Sequence, residues 1–274
     1  MNEQKENLPW VLISIAKVTY AISCEFVLSL SQLEVVTPLP RSPIEIRGVI
    51  DFRGQIIELL NIRKMLNLKS SEEEIQEFFA LMEARRQDHI NWLTTLENSV
   101  KNETEFTLTT DPHKCAFGKW YDSYDPKNGN IMFNVAFARF DTPHKAIHEI
   151  GIKAGELLKN NNKKGAIELI ESTRNTTLKE MMHLFDDLKA AFRESKREIV
   201  IVIGDGKDNI SVAVDEIVAI EHLTEIDQDL IKNTMTDTEY ISGIGKRKNG
   251  ASVLLLNDDY LLERYIVNKN QITV

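Results

Sequence analysis

The spacing of apolar residues changes twice along these 274 residues, and that change restricts what the chain can fold into. From residue 8 to 66 the apolar runs are short and β-branched: WVLISIA, VTYAIS, GVIDF and QIIELLNI. They read as strands. The breaks between them, TPLPRSP and RG, hold prolines that would stop any helix. From about Ser70 to Lys196 the apolar period switches from 2 to 3.6, the signature of helices. Residues 198 to 267 return to the first texture. EIVIVIG, the turn DGKDN and ISVAVDEIVAI read as strand, turn and second strand, and YISGIGKRKNGASVLLLN as a strand pair around the turn Asn249-Gly250.

The middle block opens on SSEEEIQEFFALMEARRQDHINWLTTL, with a serine cap and acidic residues in the first turn. Its inward stripe is Ile75, Phe79, Met82, His89, Leu93 and Leu96. The last helix carries Ile167, Ile170, Thr177, Met181, Phe185, Leu188 and Phe192, and should be about 45 Å long. A third spans Ala136 to Leu158, with a restart at the Asp-Thr-Pro before His144. A shorter fourth should surround Cys115. Helices between two β blocks could be three domains in a row or one β domain with an insertion. An antiparallel bundle with an even number of helices returns the chain to its entry point, so it inserts at a surface loop with little strain. Each β block alone, roughly 60 to 75 residues, is small for an independent core. We therefore expect an α+β fold: a β domain from residues 1–70 and 197–274, split by a four-helix insertion at 71–196.

Charge and composition narrow the function. The net charge is −9 and the pI near 5.3, which argues against nucleic acid or an anionic membrane as partner. No apolar run approaches the ~20 residues of a membrane span. The opening MNEQKENLPW lacks a signal core, so a cytoplasmic protein without direct membrane insertion is expected. The two cysteines, Cys24 and Cys115, do not make a disulfide framework in a reducing compartment. There is no P-loop, dinucleotide fingerprint, nucleophile elbow, or kinase or cyclase signature, so a non-enzymatic protein is expected.

Four residues carry chemistry: His89, Cys115, His144 and His148. The last two, spaced HxxxH, leave one helix face together. A lone histidine on an apolar face is commonly a core residue, and His113, His183 and His222 read so, as Cys24 reads as a buried strand residue. For the set of four the competing reading is a closed tetrahedral metal site of three nitrogens and one sulfur, a donor set that suits zinc. Trp92 and Trp120 would pack around it, and Gly151 and Gly155 would let a neighbouring helix approach. HKAIH is not HExxH, because Lys145 stands where the general-base glutamate would be, and four protein ligands leave no place for catalytic water. A zinc-bound thiolate is also the form that oxidants attack.

The middle block resembles the chemoreceptor zinc-binding (CZB) family through HINW (His89 to Trp92), CAFGKWYDS (Cys115 to Ser123) and HKAIHEIG (His144 to Gly151). The resemblance implies zinc held by His89, Cys115, His144 and His148 in a four-helix bundle. It marks Trp92, Gly118, Trp120 and Gly151 as supporting residues, and it implies sensing of zinc or of oxidants such as hypochlorous acid. The flanks resemble CheW, through VTPLPRSPIEIRGVIDFRGQIIELLNIR, SVAVDEIVAI and EYISGIGKRKNGASVLLLN. That implies two SH3-like five-stranded barrels and an adaptor between the chemoreceptor cytoplasmic tip and the regulatory domain of the histidine kinase CheA. It also implies recruitment to membrane-bound receptor arrays. Val27, Arg53 and Gly54 fall at receptor-facing positions. Ser29, Glu58 and Asn61 depart from the family pattern, as does DFRG where NLRG is usual. The expectation is a chemotaxis adaptor with a regulatory zinc bundle; the alternative is a plain coupling protein whose zinc is only structural.

Overall fold

The computed structural model describes residues 8–128, 130–228 and 239–266; the opening segment that bears on targeting (1–7) lies outside them. The chain forms two compact units, one drawn from residues up to Ser70 and from Arg197 onward, the other Ser71–Lys196. Among the described residues no helix is long and apolar enough to cross a membrane.

In the β unit, one sheet contains β1 (Trp10–Ile15), β2 (Val18–Ser23), β8 (Glu216–Glu221), β9 (Glu225–Asp227), β10 (Ile241–Lys246) and β11 (Ser252–Leu256), in the order β8-β1-β2-β11-β10-β9. The other contains β3 (Val27–Gln32), β4 (Ile46–Phe52), β5 (Gln55–Leu60), β6 (Ile199–Gly204) and β7 (Asn209–Val214), in the order β3-β6-β7-β5-β4. Both sheets mix strands from before and after the helical segment: β2 pairs parallel with β11, and β5 parallel with β7. Neither flank can complete a sheet alone. The main core joins the sheets through Ile13, Ile22, Leu60, Ile201 and Val212. It also takes Leu261 from a helix at Asp258–Ile266.

Two strand expectations need correction. VLSLSQ forms β3, although only Val27 and Ser29 through Gln32 pair regularly with β6, across a bulge. ISVAVDEIVAI is not one strand: Asp215 breaks it, sending β7 to one sheet and β8 to the other. Asp215 can make that break because its carboxylate holds both sides. It accepts from the Ala16 amide at 2.8 Å and from Arg63 at 2.6–3.1 Å. Arg63 lies in the short helix α1 (Ile62–Met65) and is buried. Removing one partner of such a pair typically costs about 3–5 kcal/mol. The three-residue β9 gives the first sheet a sixth strand.

The helical unit runs α2 (Ser71–Asn102), α3 (Ala116–Ser123), α4 (Ile131–Ala138), α5 (Asp141–Lys159), α6 (Lys163–Thr173) and α7 (Lys179–Ser195). The helix beyond β11, Asp258–Ile266, is α8. Met82, Leu93, Phe117, Phe140, Ile147, Met181 and Phe185 form the bundle core. Two details differ from the 3.6-period reading, and a third follows its expected restart before His144. Phe78, not Phe79, faces the core, stacked on Phe192 at 3.9 Å, while Phe79 lies under Arg193. The last helix is interrupted by a π-turn at Arg174–Leu178, so that after Thr173 the next buried residue is Leu178 and not Thr177. Thr173 and Thr176 bond back to the carbonyls of Leu169 and Ser172, which loosens a helical ladder at this point. Finally, α4 and α5 are separate helices, the second starting at Asp141, two residues before Pro143.

Candidate metal centre

α2, the start of α3 and α5 bring His89, Cys115, His144 and His148 together. One donor atom from each lies within 4.8 Å of the others. All three histidines are buried, and Cys115 is half-buried. Cys115 is not inside a helix, as its surroundings suggested, but is the N-cap of α3; its Sγ accepts from the Gly118 amide at 3.1 Å. His144 Nε2 lies 3.2 Å from Sγ.

Hydrogen bonds fix the tautomers. His89 Nδ1 lies 2.7 Å from the Arg85 carbonyl, and His148 Nδ1 3.3 Å from the Thr109 carbonyl. A carbonyl only accepts, so Nδ1 carries the proton in both rings and Nε2 keeps its lone pair. Those two Nε2 atoms are buried and make no hydrogen bond among the described residues. An unpartnered buried polar atom costs about 1–3 kcal/mol, so an arrangement with two of them aimed at one point needs a compensating ligand.

Electrostatics keep the imidazoles ready to bind. Burial, then the neighbouring His89 and His148, push His144 down to about 3. Burial, then His89, push His148 to about 4. Burial also lowers His89, against the pull of its bond to the Arg85 carbonyl. Near neutrality all three are therefore neutral donors. Burial raises the Cys115 thiol, opposed by the Gly118 and Phe117 amides at the helix start. A cation is what would convert it to thiolate. The donor set fits zinc. A tetrahedral site with zinc–nitrogen bonds near 2.0–2.1 Å and a zinc–sulfur bond near 2.3 Å has edges of about 3.3–3.7 Å, so closing from 4.8 Å takes about an ångström of side-chain movement.

The supporting residues divide. Trp92 stands 5.0 Å from the His148 ring and donates to the Thr109 carbonyl, the same oxygen that orients His148. Gly118 is irreplaceable on steric grounds, since a Cβ there would sit 1.8 Å from the Pro112 carbonyl oxygen. At Gly151 a Cβ would meet Thr110 at 2.7 Å and Trp92 at 3.2 Å, whereas at Gly155 it would meet nothing, so only the first glycine serves close approach. Trp120 packs on Phe78, Phe117 and Phe137. Phe117 contacts the ligands where Trp120 does not, 4.9 Å from His144 and 5.6 Å from His89. Sequence reasoning missed it; its place two residues after Cys115, in a helix entered by that cap, was the available signal.

The residues expected to face partners lie in the β unit. Val27 begins β3, half-buried. Arg53 and Gly54 form the two-residue turn between β4 and β5, with φ of 56° and 83°, and the Gly54 amide donates to Asp51. Positive φ at both positions is a type I′ hairpin, which favours glycine at the second. β3 and β4 are opposite ends of the strand order, but Ser31, Leu33, Val35, Ile50 and Phe52 from those two ends line one cavity of about 360 Å³.

A β unit assembled from both flanks of a helical bundle, with three imidazoles and a thiol gathered inside the bundle, defines a β-scaffold protein with a metal-binding insertion. Comparison with known families makes this specific. Residues 89–154 match the chemoreceptor zinc-binding domain, and residues 9–90 match the CheW-like domain. Residues 9–90 are thus similar to the CheW-like domain and residues 89–154 to the CZB domain. The CheW-like match runs about a sixth of the way into the helical unit, and the second β segment lies beyond both matches. The chain is 27% identical over 121 residues to the chemotaxis protein CheW of Thermotoga maritima, covering 44% of this chain and 74% of that protein. The solved scaffolding protein TtCheW from Thermoanaerobacter tengcongensis aligns over 94% of this chain and 88% of its own at 10% identity, with a TM-score of 0.41.

Proposed function

We propose that this protein is a non-enzymatic chemotaxis adaptor whose β unit, residues 1–70 with 197–274, docks the chemoreceptor tip and the regulatory domain of CheA. In this reading the bundle, residues 71–196, reports zinc or thiol state to that docking function. His89, Cys115, His144 and His148 are the zinc ligands; Val27, Arg53 and Gly54 contribute to the receptor-facing surface. The protein works in the cytoplasm and is recruited to membrane-bound receptor arrays. The observation that carries the sensory part is the pair of orphaned Nε2 atoms beside a half-buried thiol, a costly arrangement in a bundle already rich in apolar core. A metal needed only for folding would not require so extensive a core.

When zinc is bound it supplies a fixed cation that keeps Cys115 as thiolate. The protein's own residues orient the imidazoles through Arg85 and Thr109 and flank them with the rings of Trp92 and Phe117. A hypohalous acid reaching Sγ would transfer OH to the sulfur and release halide, leaving a neutral sulfenic acid and a weaker site. The test is metal content of the wild-type chain and of Cys115→Ala, followed by CheA and receptor-tip binding with zinc and with chelator. Stoichiometric zinc in the wild type and zinc-dependent binding support the reading. Zinc-independent binding, with bundle helicity collapsing on chelation, would leave zinc a structural role only.

A further inference from the structure

The four donors are not sealed. An opening of about 290 Å³ reaches them, and its walls include His89, Cys115 and His148 but not His144. Two charged residues of α2 also line it: Arg85 and Asp88, joined by an ion pair of 2.8 Å. The Asp88 side chain is 52% exposed and that of Arg85 21%, so the carboxylate is at the solvent end and the guanidinium deeper. Arg85 Nε is buried and makes no hydrogen bond among the described residues. Asp88 is a single residue before His89, and the Arg85 carbonyl is the atom that orients the His89 ring.

We infer that this opening is the route by which the metal enters and leaves, with Asp88 as a hand-over ligand and Arg85 as the group that holds it aside. This rests on the zinc reading of the four donors. A hydrated dication arriving from water meets the Asp88 carboxylate first. Oxygen is a hard donor that replaces water readily, and zinc accepts carboxylate alongside imidazole and thiolate. A cation at the mouth competes with Arg85 for Asp88, and the loosely held guanidinium can turn outward. The ion then exchanges its remaining waters for the free Nε2 atoms of His89 and His148 and for the Cys115 sulfur, whose proton leaves to water. Release retraces these steps. His144, off the wall of the opening, would be the last ligand gained and the first lost in coordination from this side.

The consequence is kinetic. A hand-over ligand speeds both directions and leaves the equilibrium almost unchanged. A carboxylate that merely contributes to the field around a bound ion strengthens binding by slowing release. The experiment follows zinc uptake from buffered zinc, and zinc release to a chromophoric chelator, by stopped flow on the full chain. The variants are Asp88→Asn, Asp88→Glu and Arg85→Gln, each checked for unchanged helicity. Asp88→Asn should slow uptake and release together by about tenfold, the low end of what a charged entrance contributes to association rates. Kd should hold steady, Asp88→Glu should restore the rates, and Arg85→Gln should raise both. Unchanged rates in Asp88→Asn, or release that becomes faster while uptake holds, would overturn the inference. A wild-type chain that takes up no zinc would overturn the zinc reading beneath it, a result distinguishable from the first because no exchange would then be seen at all.

Discussion

Replacing His148 by leucine should make the metal-free bundle more stable while destroying its response to zinc. His148 is fully buried, with Nε2 lacking any hydrogen bond among the described residues. Removing that orphaned atom recovers about 1–3 kcal/mol. The loss is the 3.3 Å contact from Nδ1 to the Thr109 carbonyl, worth about 0.5–1.5 kcal/mol at most. That carbonyl is not stranded, because Trp92 Nε1 still donates to it at 2.9 Å. Leucine has nearly the volume of histidine, and the adjoining opening can take the difference. The net gain is therefore about 1 kcal/mol, or roughly 3–5 °C for a unit of this size. In zinc the order inverts: free metal at a thousand times Kd stabilises the wild type by about 4 kcal/mol, and the variant by far less. The assay is thermal unfolding of the full chain followed by helical circular dichroism at pH 7.5, in chelator and in buffered zinc. A variant that melts below the wild type in chelator would refute the claim that Nε2 is kept at a cost for a ligand. An equal zinc shift in both proteins would refute the ligand assignment.

Cys115→Ser should bind zinc far more weakly yet leave α3 intact, since serine caps a helix well, whereas Cys115→Ala should also cost about 1 kcal/mol of bundle stability; equal melting of the two in chelator would remove the capping role. Gly118→Ala should lower both the bundle melt and zinc occupancy, because its Cβ meets Pro112 backbone at 1.8 Å; wild-type occupancy would show that the Cys115 loop tolerates displacement. The two units should respond to pH in opposite directions. His144 and His148, pushed from 6.5 to about 3 and about 4, bind protons better unfolded, so the metal-free bundle loses stability as pH falls from about 6.5 toward 4, with a smaller slope in His148→Leu. Asp258, pushed by burial from 3.8 to about 7, binds its proton better folded, so its contribution to the β unit is full below about 4 and is lost as pH rises through about 7. Unfolding scans in chelator across that range check both, and a slope unchanged in Asp258→Asn would refute the second.

Much of this was legible because it depends on local chemistry. The switch in apolar period marks β and helical texture, and HxxxH puts two imidazoles on one face of α5 whatever else the chain does. What could not be read depends on contacts remote in sequence. The break at Asp215 exists because Arg63 and the Ala16 amide meet one carboxylate from more than 150 residues away, and nothing in VAVDEIV announces it. β3 was missed since its serines mute the strand signal in VLSLSQ, and its pairing with β6 crosses the whole insertion. The π-turn shifts the stripe of the last helix by one residue, an offset that a constant 3.6 period cannot represent. Gly155 shows the opposite error: a glycine on the right stripe that meets no neighbour.

The placement of the ligands bears on how a metal signal would leave the bundle. α2 is a continuous 32-residue helix that carries the entry junction at Ser71 and His89, 18 residues or about 27 Å along it. The other ligands sit on α3 and α5, and none on α7, the helix that leads to the exit. Binding would draw α2 toward α3 and α5, and α7 would feel it through Phe185, which packs on His89, Phe117 and Phe140, and through the Arg86–Asp186 and Lys189–Glu83 ion pairs. At the junction end α2 and α7 are tied by Glu74 to Lys196 at 2.5 Å, by Phe78 stacked on Phe192, and by Arg193 over Phe79. A shift of α2 along its axis must strain these contacts or drag α7 with it. If the bundle reports zinc to its partners, the ties between α2 and α7 would turn coordination into displacement, and the π-turn at the head of α7 would let that helix yield. Cutting the ion-pair tie with Lys196→Ala should leave zinc affinity intact and weaken its coupling to partner binding; a variant that stays fully coupled would place the transmission elsewhere.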